Sequence, residues 1–215
     1  LFRSSNLYNL LKNDSEVAEL TAMLKEDINN EDSDGFEGAG IKFKSSSSLT
    51  ISGSGKLTVV GNPKNGIKGA AESTLTINSG TLTISAAKNA LACDNLITIN
   101  GGTINISATD DGINAGHKSS AYSVKIEING GNITINMGQG DTDGIDSNGD
   151  LYITGGTINI TGQSPFDYDG EAKYSGGTLI VNGEKTNTIT NQFGGMNGAN
   201  RGMNGNMPNN GGMNN

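Results

Sequence analysis

One short phrase recurs six times along this chain, and it limits the possible folds more than any other feature. A glycine introduces alternating apolar and polar residues at Gly55-Lys-Leu-Thr-Val59, Gly80-Thr-Leu-Thr-Ile84 and Gly102-Thr-Ile-Asn-Ile106. The phrase returns at Gly131-Asn-Ile-Thr-Ile135, Gly156-Thr-Ile-Asn-Ile160 and Gly177-Thr-Leu-Ile-Val181. The mean separation is about 24 residues, a period that belongs to stacked repeat architectures. Alternation with period 2 sends Leu, Ile and Val to one face of a strand and Thr and Asn to the other.

Each copy has a second alternating run just upstream, at Leu49-Thr-Ile51, Leu75-Thr-Ile77, Ile97-Thr-Ile99, Ile126-Glu-Ile128 and Leu151-Tyr-Ile153, with a degenerate last copy at Ala172-Lys-Tyr174. Turns such as Asn100-Gly-Gly102 and Thr154-Gly-Gly156 join the two runs. A third short element follows at Asn65-Gly-Ile67, Asn89-Ala-Leu91, Asp111-Gly-Ile113 and Asp143-Gly-Ile145. Three strands per period and no helix predict an all-β chain wound as a parallel β-helix. It would have about six coils, each strand lying about 4.8 Å from its predecessor. The crossover rule makes the coil right-handed. Ile104, Ile133 and Ile158 would then stack inward, while outward columns such as Thr83/Asn105/Thr134/Asn159 would be tied by side-chain hydrogen bonds.

Composition agrees. Glycine reaches 33 of 215 residues with only 3 prolines, which excludes collagen. Aromatic residues are 5% and Trp is absent, so the core must be aliphatic. The net charge of −8 disfavours nucleic acid, whose phosphates demand a basic surplus. No apolar run is long enough to span a membrane. Cys93 is the single cysteine, which excludes an internal disulfide and is read as a small buried hydrophobe. His117 falls in the longest insertion and reads as a surface residue. The chain opens on Leu1 without a signal-peptide pattern, as expected of a fragment or a mature form.

The ends differ from the middle. Residues 1–34 lack the repeat, and Leu7, Leu10, Leu11, Val17, Leu20, Leu24 and Ile28 follow helical spacing, so a helical cap or linker is expected there. Residues 35–190 are assigned to the β-helix. Residues 191–215 are nearly all Gly, Asn and Met, a composition that predicts a disordered, dispensable tail. Asn30-Glu-Asp-Ser-Asp-Gly35 matches the start of an EF-hand loop, but Ile41 stands where its bidentate Glu is needed, so a polar linker is the simpler reading.

Acidic residues crowd the stretch 110–150. Aligning the third strands sets Asp111-Gly-Ile-Asn114 over Asp143-Gly-Ile-Asp146, so carboxylates fall into columns on adjacent coils. Two carboxylates about 5 Å apart repel by about 3 kcal/mol at an effective dielectric of 20. A calcium ion would remove that penalty, and its preference for Asp and Asn oxygens fits Asp110, Asp111, Asn114, Asp141, Asp143 and Asp146 as candidate ligands. The alternative is a set of solvated acidic turns. Lys64, Lys68 and Lys88 occupy equivalent turns in earlier coils. Lys68 and Lys88 are candidate substrate contacts, and Tyr122, Tyr152 and Tyr168 candidate platforms for a sugar ring.

The blocks Lys125-Ile-Glu-Ile-Asn-Gly-Gly-Asn-Ile-Thr-Ile135 and Gly140-Asp-Thr-Asp-Gly-Ile-Asp-Ser-Asn-Gly-Asp-Leu-Tyr-Ile-Thr-Gly-Gly156 resemble a bacterial family of polysaccharide-lyase-like, calcium-binding carbohydrate-binding proteins. The resemblance covers about residues 40–185 and extends to the Gly/Met-rich tail. It implies a right-handed parallel β-helix, extracellular or attached to the cell surface. It also implies non-catalytic binding of plant cell-wall polysaccharide, polygalacturonate or cellulose, with Asp111, Asp143 and Asp146 at calcium positions. Calcium would reconcile an acidic protein with an acidic uronate by bridging both. The alternatives are a calcium-dependent lyase using one of the lysines as base, or a structural or adhesin rod. A monomer is expected.

Overall fold

A computed structural model describes residues 19–23, 38–43, 45–62, 64–116, 123–140 and 142–191. Among them every regular element is a strand, and the strands form three sheets. Sheet A stacks Glu19–Met23, Lys56–Gly61, Thr81–Ala86, Thr103–Ala108, Asn132–Met137, Thr157–Thr161 and Thr178–Val181 in parallel. Sheet B stacks Ala39–Phe43, Asn65–Gly69, Leu91–Cys93, Ile113–Ala115, Asp143–Ser147 and Ser164–Tyr168. Sheet C stacks Ser48–Ile51, Thr74–Ile77, Leu96–Ile99, Lys125–Ile128, Asp150–Ile153 and Ala172–Tyr174. The chain visits B, C and A in turn, so it winds a parallel β-solenoid of about five turns with six rungs in sheets B and C.

Register follows the repeat residue for residue. Leu57, Leu82, Ile104, Ile133, Ile158 and Leu179 pair successively down sheet A. Leu75, Ile97, Ile126 and Leu151 do the same in sheet C, and Ile67, Leu91, Ile113, Ile145 and Phe166 in sheet B. These ladders meet in one core, where nearly every member is about fully buried. A slip of one residue would turn a whole ladder to solvent, so burial fixes the register. Cys93 packs in this core, its Sγ 3.0 Å from the Ser73 carbonyl, and burial raises its thiol pKa, as suits an inert small hydrophobe.

The Gly-Gly corner between sheets C and A needs each glycine for a different reason. Gly102, Gly131, Gly156 and Gly177 take φ of 95°, 95°, 86° and 92°, a region where L side chains are strained. Their preceding glycines are needed for clearance. A Cβ on Gly130 would lie 2.4 Å from the Asn100 carbonyl oxygen of the coil before it, and one on Gly155 2.4 Å from that of Asn129. Beside this corner runs a side-chain ladder in which Asn100 donates to Asn78 at 2.9 Å, Asn129 to Asn100 at 3.0 Å and Thr154 to Asn129 at 2.7 Å. The hydrogen-bonded ladder is therefore here. The outward columns of sheet A, where one was expected, make no side-chain hydrogen bonds among the described residues.

The N-terminal helix is corrected where the structure describes that segment. Glu19–Met23 is a strand, paired in parallel with Lys56–Val60. The pairing satisfies backbone groups on the first long strand of sheet A, which a helix laid over that edge would leave open. The rest of the expected helix, the EF-hand-like segment, His117 and residues 192–215 lie outside the described residues. Two further features escape the repeat phrase. Ala39–Phe43 and Ser164–Tyr168 add a rung at each end of sheet B, and Glu184–Thr186 folds back antiparallel on Thr178–Val181 to cover the last edge of sheet A.

The stacked core makes two expectations. Ile133→Ala removes a fully buried ladder member and should cost about 2–5 kcal/mol in denaturant unfolding. Gly130→Ala should destabilise by about 1–3 kcal/mol although it adds only a methyl group, because the added atom meets backbone. Wild-type unfolding of the second variant would show that the corner can open.

Candidate functional site

The other residues of sheet B form columns just as the apolar core members do. One column runs Asn65, Asn89, Asp111, Asp143, Ser164, through backbone bonds such as Ala90 N–H to Asp111 O at 3.0 Å and Gly112 N–H to Asp143 O at 2.9 Å. A second runs Lys42, Lys68, Ala92, Asn114, Asp146, Asp167. The charge reverses partway along it: lysines occupy the early rungs, carboxylates the late ones, with Ala92 and Asn114 between.

A groove of about 380 Å³ lies across that reversal. Lys64, Lys68 and Lys88 line it from the early coils, Asp110, Asp111 and Asp146 from the late ones. Lys68 Nζ lies 2.7 Å from Asp94 Oδ1, both side chains largely covered. Lys88 meets Asp110 at 3.6 Å, both well exposed, a contact of little weight by itself.

Asn114 is the centre of the acidic end. Its side-chain amide donates to Asp111 Oδ2 at 2.9 Å and also to Asp146 Oδ2 on the next coil. Both carboxyls are largely covered, and their pKa values are raised to about 7. Burial is the main cause for each, followed by like charge, from Asp146 on Asp111 and from Asp143 on Asp146. Here two carboxylates are held together and short of positive charge.

The other expected ligands are placed differently. The Asp143 carboxylate accepts a hydrogen bond from Ser164 Oγ. Asp110 faces Lys88, and Asp141 lies outside the described residues. Among the described residues, no three His, Cys, Asp or Glu side chains converge as a metal-binding group. Among the tyrosines, Tyr168 pairs with buried Ser147 and packs against the core. Tyr152 stands on the outer face of sheet C, with Lys125 Nζ 4.7 Å and Lys173 Nζ 5.5 Å from its ring centre. Its hydroxyl donates to Glu171 at 2.9 Å, which with burial raises the phenol to about 12. Tyr122 lies outside the described residues. The groove thus joins Lys68 and Lys88 to Asp110, Asp111, Asn114 and Asp146, and leaves Tyr152 and Tyr168 elsewhere.

Sequence reasoning missed Asn65, Asn89 and Asp94 as groove residues. The signal was present: the first two share a repeat position with Asp111, and Asp94 follows the third strand as Asn148 does.

The raised carboxyls carry a pH signature. The folded protein holds these protons to higher pH than an unfolded chain does. Their contribution to stability is therefore full below the ordinary carboxylate range near 4 and is lost as pH rises through about 7. Without added cation, Tm should fall between about pH 5 and pH 8, and Asp111→Asn with Asp146→Asn should flatten that dependence. An equally steep profile in the double variant would remove the pair as its source.

No curated protein and no solved structure matches this chain. A family model does match, over residues 16–206, which takes in every described residue of the solenoid and all of the groove. By that match the chain belongs to the family described as carbohydrate-binding domain-containing proteins.

Proposed function

We propose that this protein binds an acidic polysaccharide, of the polygalacturonate or pectin type, in the groove on sheet B, outside the cell and without cleaving it. The observation that carries the reading is the charge reversal inside one groove of a carbohydrate-binding family member. Lys64, Lys68 and Lys88 offer ammonium donors to sugar carboxylates. The asparagines Asn65 and Asn89 beside them can donate to and accept from ring hydroxyls. An electrostatic contact of this kind sets orientation and on-rate and weakens with salt.

The acidic end suits a hard cation. Its donors are all oxygens, two carboxylates pushed to about 7 and one side-chain amide, which matches the chemistry calcium prefers. Asp111 and Asp146 would hold the ion, which requires the Asn114 amide to turn over, exchanging the N–H bonds it now gives both carboxylates for its oxygen. Bound calcium would supply a positive charge that a uronate carboxylate can share. So few protein ligands make an open site, completed by water or by the saccharide.

One contact favours binding over lyase chemistry at Lys68. A base that takes a sugar proton needs a free lone pair, whereas the Lys68 nitrogen is held in an ion pair with Asp94 at 2.7 Å.

Two measurements test this. Lys68→Ala with Lys88→Ala should weaken polygalacturonate binding by about tenfold or more, with a shallower salt dependence and no unsaturated product from either protein. Retained affinity would move the ligand out of the groove. Calcium at about a hundred times its Kd should stabilise the wild type by about 2.7 kcal/mol and leave Asp146→Ala unmoved. Calorimetry without calcium uptake at about millimolar concentration would end the calcium part of the reading and leave the lysine part standing.

A further inference from the structure

The charges of sheet B are their own complement when the sheet is turned end for end. Its six rungs run from Ala39–Phe43 to Ser164–Tyr168. The middle column is Lys42, Lys68, Ala92, Asn114, Asp146, Asp167. Folded about its midpoint, it sets Lys42 on Asp167, Lys68 on Asp146 and Ala92 on Asn114. The column that enters the central rungs, Lys64, Lys88, Asp110, Thr142, does the same: Lys88 falls on Asp110 and Lys64 on Thr142. In the column beside it, Asp111 falls on Asn89 and Asp143 on Asn65. Past the strands, Asp94 falls on Gly116. In none of these columns does a charge fall on one of its own sign.

A surface that complements itself fits a second copy of the same chain. In a two-fold pair whose axis follows the strand direction, each column faces the same column of the partner, reversed, and every contact occurs twice. A two-fold along the rod would instead set early rungs on early rungs, lysine near lysine, which like-charge repulsion opposes. The charge order therefore selects the antiparallel pair.

Exposure puts the right groups within reach. Lys88 and Asp110 stand on either side of the midpoint with side chains 53% and 41% exposed. Around the two-fold they would join their copies in a ring of four alternating charges, a network rather than an isolated surface pair. Lys42 is exposed and Asp167 half-buried at the two far ends. Lys68 and Asp146 lie deeper, Lys68 already held by Asp94, and act through their field.

We infer that sheet B is a self-association surface on which two copies pair antiparallel, groove against groove. The net charge of −8 opposes approach while facing rungs attract at short range, so the pair is weak, reversible and sensitive to salt. It takes the place of the monomer expected from the sequence. The inference uses the charge order alone and does not depend on what the groove binds. A polyanion that used the same lysines would compete with the second copy.

Sedimentation velocity of the full chain with a chelator tests this at about pH 8, where Asp111 and Asp146, raised to about 7, are ionised. Charges act over about 10 Å at about 0.1 M salt and about 3 Å at about 1 M. The mass should climb toward a dimer with protein concentration at the lower salt, with affinity about tenfold or more weaker at the higher. Lys88→Glu and Asp110→Lys should each weaken the dimer by about tenfold or more, and both together in one chain should restore it, because that reversal keeps every facing pair opposite. Lys42→Glu and Asp167→Lys should show the same loss and recovery at the far ends, and they decide the matter if the central variants melt early. A dimer indifferent to salt or to the single reversals would overturn the inference, as would a doubly reversed chain no tighter than the singles. A chain that stays monomeric to about millimolar concentration would also overturn it and leave the groove to another occupant.

Discussion

Parallel stacking at the spacing of hydrogen-bonded strands governs this molecule. Each residue has, as its nearest neighbour on the next coil, the residue at the same position of the next repeat. Isoleucine over isoleucine gives a core with few aromatics, because each aliphatic side chain is covered by its own kind above and below. The same rule permits no bulk where backbones approach. Gly130 and Gly155 face carbonyl oxygens of the preceding coil at distances that leave no room for a methyl group.

Stacking treats polar residues the same way, and there it creates tension. Like charges that share a repeat position are forced together whether or not they attract. Along the sheet B column this tension is relieved by changing residue type: Lys42 and Lys68 give way to Ala92, then Asn114, then Asp146 and Asp167. Asn114 bears most on the acidic end. Its amide donates to both Asp111 and Asp146, so a neutral group stands between two carboxylates that burial and neighbouring like charges have already pushed up to about 7.

Much of this was legible in the sequence because the repeat is a spatial map. Once Gly102 and Gly131 are aligned, Ile104 must lie on Ile133 and Asp111 on Asp143, and they do. What the repeat does not encode was harder to read. The strand at Glu19–Met23 has no repeat phrase, and its leucine spacing suits a helix equally well; an unsatisfied sheet edge decided the outcome. Side-chain direction within a column was also beyond reach. Asp143 occupies the expected position, yet its carboxylate accepts from Ser164, a residue outside any recognised phrase. Nothing in the columns of sheet A foretold that their hydroxyls would stay unpaired while the asparagines of the Gly-Gly corner joined hands.

The ordered change from lysine to aspartate along sheet B gives the rod an electrical polarity along its axis. With a Debye length of about 8 Å at physiological salt, distant charges are screened and only the rungs nearest a ligand are felt. In the absence of a bound cation, a polyanion lying along sheet B therefore meets attraction at one end and repulsion at the other, about five rungs away. Turned end for end it meets the same field, but its own chain direction is reversed against fixed donors. Sugar polymers have chemically distinct ends, so such a surface distinguishes the two directions of one strand and imposes a sense on whatever it holds.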